Sequence, residues 1–200
     1  MSRRFIAWLV RLLTGVRLLA VPPHGSGPAI YFANHASHMD FVVVWSALPD
    51  TVREMTSPAA AEDYWGKTPL RRRISCDLFQ AILIPRQDVK RHNNPVNLLG
   101  AGLEAGRSII LFPEGTRSLT PETAEFKSGL YHLAKRYPGI PLVPVHLENL
   151  SRILPKGSHL PVPLIAQARF GDPIHLLDDE SKPEFLTRAR AILVGVDAPV

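Results

Sequence analysis

Residues 29–40 read AIYFANHASHMD, and this stretch decides how the rest of the chain is interpreted. Its apolar beginning, Ala29–Ala33, predicts a short buried strand, and the apolar run Phe41–Leu48 that follows is long enough for a helix. A histidine and a carboxylate five residues apart, His35 and Asp40, therefore straddle the junction between a strand and a helix. Such a junction brings short side chains close together if the turn folds back.

Two interpretations of this turn are open. In the first, Asp40 hydrogen-bonds one imidazole nitrogen of His35 and fixes its tautomer, so that the other nitrogen can take a proton from a substrate hydroxyl. In the second, Ser37-His38-Met39-Asp40 is a capping box, and Asp40 serves only the backbone of the following helix. On this stretch alone, the capping interpretation is favoured.

Composition describes an ordinary folded chain with a basic balance. Two hundred residues with 46% hydrophobic and 20% charged content suit one domain with a sizeable core. Lys and Arg exceed Asp and Glu by 23 to 18, which favours partners that carry phosphate, such as anionic lipid, phosphorylated metabolites or nucleic acid. The single cysteine, Cys76, permits neither an internal disulfide nor a thiolate metal cluster, and it fits a reducing compartment. We interpret Cys76 as a packing residue.

Residues 1–21 predict a basic amphipathic helix. On a helical wheel one face carries Arg3, Arg4, Ala7, Arg11, Thr14 and Gly15, and the remainder is apolar. Arg11 interrupts the apolar run, so a membrane-spanning helix is a poor fit. A helix lying on an anionic membrane surface fits better, and Pro22-Pro23 would end it before a domain of residues 22–200. The alternative is a helix that packs its apolar face on that domain.

Beyond the turn, apolar runs of strand length alternate with helical patterns, which predicts an α/β domain whose central mixed sheet is flanked by helices. The further predicted strands are residues 52–56, 81–84, 108–112, 141–145 and 164–170, and a short helix is predicted at 59–65. Pro144 interrupts one run, which points to a sheet edge or a strand end.

Several basic residues are candidate ligands for a phosphate group. Arg86 follows a buried strand and is well placed for a cleft, whereas Lys67 and Arg71–Arg73 belong to a charge run. Such a run is usually a solvated helix face, although it can also receive a phosphate or an anionic lipid headgroup, and the sequence leaves this open. In residues 113–118, PEGTRS, Gly115 lets the backbone approach a ligand, and Arg117 offers a forked donor suited to phosphate.

With these motifs in place, the chain resembles the glycerolipid acyltransferases, the family typified by 1-acylglycerol-3-phosphate acyltransferase. The resemblance rests on four blocks in the family's order, which cover roughly residues 28–150. They are NHxSxxD at 34–40, IxIPR at 82–86, FPEGTRS at 112–118 and IPLVPV at 140–145. A lone HxxxxD pair is common by chance, but four ordered blocks outweigh the capping interpretation.

The resemblance implies roles for individual residues. His35 would be the general base, Asp40 would orient it, and Glu114 would complete the catalytic set. The residues implied in substrate binding are Asn34, Ser37, Arg86, Gly115, Thr116 and Arg117, with Arg86 and Arg117 on the acceptor's phosphate. The strand around Pro144 would line the acyl side.

The activity implied is transfer of an acyl group from acyl-CoA or acyl carrier protein to the free hydroxyl of a lysophospholipid. The leading acceptor is 1-acylglycerol-3-phosphate, which would become phosphatidic acid. An alcohol attacking a thioester needs a base and donors for the oxyanion, so we expect no cofactor and no metal. Membrane lipids are the expected partners, nucleic acid is not expected, and the expected location is peripheral, on the cytoplasmic face of the membrane.

One departure from the family pattern concerns the phosphate. Members that acylate lysophosphatidate often carry a lysine shortly after the second strand, where this chain has Ser57-Pro58-Ala59-Ala60-Ala61. If that lysine holds the phosphate, Lys67 or Arg71–Arg73 must substitute, or the acceptor is a different lipid.

Other classes of protein remain as alternatives. A metal-dependent hydrolase could use His35 and His38, to which Glu114 could add a carboxylate, although no further well-placed ligand is evident. A lipid- or acyl-binding module would keep the basic helix and an apolar groove without chemistry. A nucleic-acid binder is allowed by charge, but aromatic residues do not alternate with the basic ones.

Overall fold

A seven-stranded mixed sheet organises the computed structural model, which describes residues 3–18, 27–37, 40–117, 122–148 and 167–196. The strands are β1 (Arg17–Leu18), β2 (Ile30–Ala33), β3 (Thr56–Ala61), β4 (Ile82–Ile84), β5 (Ser108–Leu111), β6 (Leu142–Glu148) and β7 (Gln167–Phe170). Their spatial order is β1-β7-β6-β2-β5-β3-β4, and all neighbours are parallel except the β6–β7 pair. The α/β fold with a central mixed sheet is thus confirmed.

The helices lie in two layers. They are α1 (Arg3–Thr14), α2 (Asp40–Ala47), α3 (Asp50–Glu54), α4 (Glu62–Trp65), α5 (Pro69–Arg73), α6 (Pro95–Glu104), α7 (Gly129–Arg136) and α8 (Lys182–Gly195), with a π-helical segment at Ile74–Leu78 and a 3-10 turn at Arg91–Asn93. One hydrophobic cluster joins α1, α2 and the π-helical segment to one sheet face, and a second joins α6, α7 and α8 to the other. Strand β2 contributes to both, since Tyr31 belongs to the first cluster and Phe32 to the second.

Helix α1 is shorter than predicted, and its buried side combines residues of the predicted polar face with Ile6 and Val10 of the predicted apolar face. It ends at Thr14, Gly15 adopts a left-handed backbone (φ 57°), and β1 then joins the sheet, whereas the sequence predicted a helix to residue 21. Ala7 and Thr14, on the predicted polar face, are buried against the domain. The proline pair at 22–23 lies outside the described residues.

The arginines of α1 contact the domain rather than solvent alone. Arg11 Nε donates to the Ser46 carbonyl at 2.6 Å, near the end of α2, and the Arg3 guanidinium lies 5.4 Å from the centre of the Trp45 ring. Cations satisfy the unpaired carbonyls at a helix C-terminus well, because those carbonyls carry partial negative charge. As a result the outward face of α1 is apolar, with Phe5, Trp8, Leu12 and Leu13 each about half exposed or more.

Two predicted strands need correction. The chain at 50–54 is helical, and the strand runs from Thr56 to Ala61, so the strand predicted at 52–56 is wrong and the helix predicted at 59–65 covers only 62–65. Pro144 lies inside the sheet, between β2 and β7, rather than at an edge. Pro144 faces Gly171, directly after the end of β7, and its carbonyl accepts the Gly171 amide at 2.9 Å, so the proline removes only the reciprocal bond at the end of this pairing.

Candidate active site

The carboxyl end of β2 delivers the turn that carries His35 and Asp40. His35 Nδ1 lies 2.7 Å from Asp40 Oδ2, and Asp40 is fully buried at the first position of α2. The same oxygen accepts the backbone amides of Ala36 (2.7 Å) and Ser37 (2.8 Å). The two interpretations of the turn are therefore compatible, since one carboxylate oxygen both holds the turn's backbone amides and contacts the imidazole.

The imidazole of His35 makes a stacking contact in addition to its hydrogen bond with Asp40. Its ring stacks on Phe112, with centroids 4.4 Å apart and planes at 24°. Because Nδ1 is engaged by Asp40, Nε2 is the nitrogen available to a substrate. Phe112 follows β5, the strand next to β2, so two parallel strands hold this ring together. No pattern in the sequence predicts this stacking.

Glu114 acts on the backbone of the turn. Its Oε1 accepts the amide of His35 at 2.7 Å and its Oε2 accepts the amide of Ala124 at 3.0 Å, while the side chain is only 3% exposed. Burial raises the pKa of Glu114, and the two amide hydrogen bonds oppose that rise. Glu114 was predicted as catalytic, but both of its oxygens are occupied and it lines neither cavity at the site, so its geometry fits a positioning role.

Two hydrogen bonds from Asn34, the residue that follows β2, connect the turn to β6. Asn34 donates its side-chain amide to the Leu147 carbonyl at 2.9 Å and accepts the Leu147 amide at 2.8 Å. Predicted as substrate-binding, Asn34 instead uses both ends of its amide on the neighbouring strand. Ser37 is buried, Thr116 is exposed, and neither of them lines a cavity.

Two cavities meet at His35. The larger, of about 540 Å³, lies between the strand ends and helices α6 and α7, and its lining is mainly apolar, with Val96, Leu99 and Leu130 among the residues. The smaller, of about 120 Å³, opens towards α4 and includes Tyr64 and Trp65. His35, Phe112 and Arg86 line both. The histidine is thus shared between an apolar cavity and a smaller, more polar one.

Three cations reach these cavities. Arg86 lines both, and its guanidinium binds the carboxylate of Asp63 through Nε (3.0 Å) and Nη2. Arg117 lines the smaller cavity and makes no ion pair within the part of the chain that the structure describes. Lys127 lines the larger cavity, where its side chain covers Gly115, a glycine with φ 72°.

The expected substitutes for the family's lysine lie elsewhere. Lys67 and Arg71–Arg73 line neither cavity, and alanines 59–61 form part of the small cavity's wall. Lys127, which the sequence analysis missed, does line a cavity. Lys127 stands ten positions after Arg117 in the chain, and nothing in the sequence indicated that it would line a cavity.

Possible metal ligands do not converge in the described ranges. Among those residues no group of three His, Cys, Asp or Glu side chains is close enough to hold a metal ion. His38, one of the histidines considered for such a site, lies outside the described residues, as does Ser118 of the PEGTRS motif.

Comparison with known proteins identifies the family of this chain. A model of the Acyltransferase family matches residues 15–148, which is more than half of the chain and contains all four sequence blocks. The chain belongs to this acyltransferase family.

Named relatives agree with the family. The chain is 33% identical over 163 residues to a 1-acyl-sn-glycerol-3-phosphate acyltransferase of Limnanthes douglasii, covering 78% of this chain and 53% of that protein. It is 31% identical over 132 residues to the enzyme of that name in Salmonella typhimurium, covering 62% and 49%. A chloroplastic relative from Brassica napus is 28% identical over 153 residues, which cover 72% of this chain and 40% of that one. The chain therefore spans about half the length of these relatives, or less.

A solved structure shares the fold. The crystal structure of the 1-acyl-sn-glycerophosphate acyltransferase PlsC from Thermotoga maritima superposes with a TM-score of 0.74, at 20% identity. The match covers 98% of this chain and 80% of that one.

Proposed function

We propose that this protein transfers a fatty acyl group from acyl-CoA or acyl carrier protein to the free hydroxyl of a lysophospholipid, with 1-acylglycerol-3-phosphate as acceptor and phosphatidic acid as product. The observation that carries the proposal is the 2.7 Å contact between His35 Nδ1 and buried Asp40, at the junction of two cavities. Family membership and the named relatives support the acyl-transfer class.

In the proposed mechanism His35 Nε2 takes the proton of the acceptor hydroxyl as that oxygen attacks the thioester carbonyl carbon. Asp40 stabilises the imidazolium that forms. When the tetrahedral intermediate collapses, the carbon–sulfur bond breaks, the departing thiolate receives the proton from His35, and an ester and a free thiol remain. General bases of this kind contribute roughly 10² to 10⁴-fold to a rate. No metal or prosthetic group takes part in these steps.

The residues around His35 divide into positioning and binding groups in this scheme. Glu114, Asn34 and the amide of Ser37 hold the turn, because their hydrogen bonds end on backbone or on Asp40. The larger, apolar cavity takes the acyl chain, since a hydrocarbon gains free energy from burial against side chains such as Leu99. The smaller cavity takes the phosphate, which Arg86 and Arg117 bind.

Helix α1 provides the proposed contact with the membrane. Its buried face packs on α2, and its outward face presents Trp8 and Leu12, 55% and 63% exposed, together with Phe5 and Leu13. No helix in the described ranges is long and apolar enough to cross a membrane. An apolar helix face of this kind binds a bilayer in its plane, which makes the protein peripheral. With a single cysteine, Cys76, we place it on the reducing, cytoplasmic side.

Release of free thiol from a long-chain acyl-CoA tests this function. Purified protein is incubated with acyl-CoA and liposomes, with and without lysophosphatidate, and an acyl carrier protein donor and other lysolipids follow. Acceptor-dependent release is expected. Liposome binding without release from any donor and acceptor would instead identify a non-catalytic lipid-binding module.

A further inference from the structure

The three arginines of α5 line neither cavity at the candidate site, and an exposed apolar residue stands on each side of them in the chain. Leu70 is 68% exposed and Ile74 is 37% exposed, and Arg71, Arg72 and Arg73 stand between them in the chain. Isolated surface leucines are common and need no explanation. Here, however, two exposed apolar side chains bracket three consecutive cations, and that combination is typical of a surface that lies in the headgroup region of a bilayer.

The intramolecular partners of these arginines leave two of them available. Arg71 stacks over the Tyr64 ring at 4.4 Å. Arg73 Nε lies 3.7 Å from Asp77, in an exposed pair one helical turn apart, a geometry worth little in water. Arg72 is exposed and makes no ion pair with any residue that the structure describes. Arg72 and Arg73 can therefore take an external anion at small cost.

The position of α5 relates this surface to the rest of the molecule. Trp45 of α2 contacts both α1, through Arg3 over its ring, and Phe79, with ring centroids 5.1 Å apart. Phe79 directly follows the π-helical segment that continues α5. Helices α1, α2 and α5 therefore belong to one layer, and the exposed apolar residues of α1 and α5 lie on the same side of the sheet.

The same helix is adjacent to the smaller cavity. Arg71 contacts Tyr64, and Tyr64 lines that cavity together with His35 and Arg117. A bilayer touching α5 would thus lie close to the cavity that we assign to the acceptor's headgroup.

We propose that α5 and the start of the π-helical segment form a second membrane-contact element that binds anionic lipid through Arg72 and Arg73 and inserts Leu70 and Ile74. This inference rests on the proposed membrane association through α1, which it extends. It orients the smaller cavity towards the lipid surface, so that an anionic acceptor reaches His35 without crossing water. An acidic carrier protein is the competing occupant, but the exposed leucine and isoleucine, on the same side as the apolar face of α1, favour a bilayer.

Partition into vesicles tests the proposal. Wild type is compared with Arg72→Glu/Arg73→Glu and with a matched control of equal charge change, Lys135→Glu/Lys182→Glu, whose exposed lysines lie on α7 and α8 in the opposite layer. With vesicles of phosphatidylcholine and phosphatidylglycerol, the arginine variant should bind at least about 20-fold more weakly, since each cation at an anionic surface contributes roughly a factor of five. The control should change by less than about threefold, and the loss should vanish on phosphatidylcholine alone.

A second variant tests whether the apolar side chains of Leu70 and Ile74 contribute to membrane binding. Leu70→Ser/Ile74→Ser should bind both kinds of vesicle about tenfold or more weakly, because burial of these side chains no longer contributes. Both residues are exposed, so the fold is expected to survive, which thermal unfolding followed by circular dichroism verifies.

The outcomes separate this proposal from the proposed function. Turnover of acyl-CoA with acceptor in detergent micelles should be unchanged in the α5 variants, and absence of turnover in wild type would overturn the function while leaving the vesicle result intact. Arginine variants that bind anionic vesicles like the control would overturn the α5 proposal. So would variants that bind vesicles normally but lose rate only with an acyl carrier protein donor, which would assign the surface to that protein.

Discussion

The turn that carries His35 and the cations that line the smaller cavity are built in opposite ways. Asp40 is fully buried and accepts three hydrogen bonds within the turn, and Glu114, which follows the neighbouring strand β5, accepts the backbone amide of His35. Arg86, by contrast, is exposed and bound to an exposed Asp63, and Arg117 is unpaired among the described residues. A group that must abstract a proton needs fixed geometry, whereas a group that captures a flexible phosphate gains from being accessible.

This comparison predicts that changes in the turn act on kcat and changes among the cations act on KM. The largest expected effect comes from Asp40→Asn. An asparagine cannot stabilise the imidazolium and does not hold the same tautomer, so kcat should fall about 10³-fold with little change in the acceptor's KM. Steady-state thiol release measures both constants. A near-normal rate would return Asp40 to a purely capping role.

Arg117→Ala should have the next largest effect, on binding. Loss of a charge-assisted hydrogen bond to phosphate should raise the acceptor's KM about tenfold or more while kcat changes little. The matched control is Arg91→Ala, which removes an exposed arginine that lines neither cavity. A monoacylglycerol acceptor, which lacks phosphate, should not distinguish the variant from wild type. If kcat and not KM falls, Arg117 acts in the chemical step and the comparison fails.

Glu114→Gln should weaken the turn without removing a reacting group. A carboxamide has one acceptor oxygen for two amides, so one buried donor loses its partner, which costs about 1–3 kcal/mol in stability. The looser turn should lower kcat about tenfold and leave the acceptor's KM within about twofold. An unchanged kcat would show that the hydrogen bond from His35 to Glu114 does not position the base.

The same substitution should alter the pH dependence of stability. Burial raises the pKa of Glu114, so the folded protein holds that proton more tightly than the unfolded chain does. This contribution to stability is fully present below the ordinary glutamate pKa of 4.5 and is lost as the pH rises through the raised value. Urea unfolding across that window should therefore show wild type losing stability relative to Glu114→Gln as the pH increases. A parallel pair of curves would contradict the raised pKa.

The smallest effect is expected from Asp63→Asn. Asp63 is the counter-ion of Arg86, so its neutralisation should release Arg86 for phosphate and lower the acceptor's KM about two- to fivefold. Stability should change by less than about 1 kcal/mol, because the pair is exposed. Measurement of KM at low and high salt checks the electrostatic origin, since salt should reduce the difference. A higher KM would mean that Asp63 positions Arg86 instead of competing for it.

The sequence predicted the contact between His35 and Asp40 because its signal is local. A buried strand, a histidine and a carboxylate at a fixed spacing all fall within residues 29–40. The hydrogen bonds of Glu114 could not be predicted from the sequence. Its partners are backbone amides, one of them 79 residues away, and every residue type except proline has such an amide, so no sequence pattern indicates which one is bound. The orientation of α1 on the domain could not be predicted either. A helical wheel shows which residues share a face, but it does not show that Arg11 donates to the Ser46 carbonyl.

The misassigned third strand has a related cause. Thr56–Ala61 reads TSPAAA, and a proline followed by alanines carries little strand propensity. It forms a strand because it pairs with β5 on one side and β4 on the other, which is tertiary information. This error matters for the site, because the alanines at the end of β3 line the smaller cavity.

In the proposed mechanism His35 performs the chemistry, and the groups that bind the substrate are separate from it. The most direct test measures lysophosphatidate binding and acceptor-dependent thiol release for wild type and His35→Ala, with thermal unfolding as the check on folding. For His35→Ala we expect unchanged affinity and unfolding temperature, with turnover reduced about 10³-fold or more. Turnover that persists in His35→Ala, or that disappears together with lysophosphatidate binding, would contradict this mechanism.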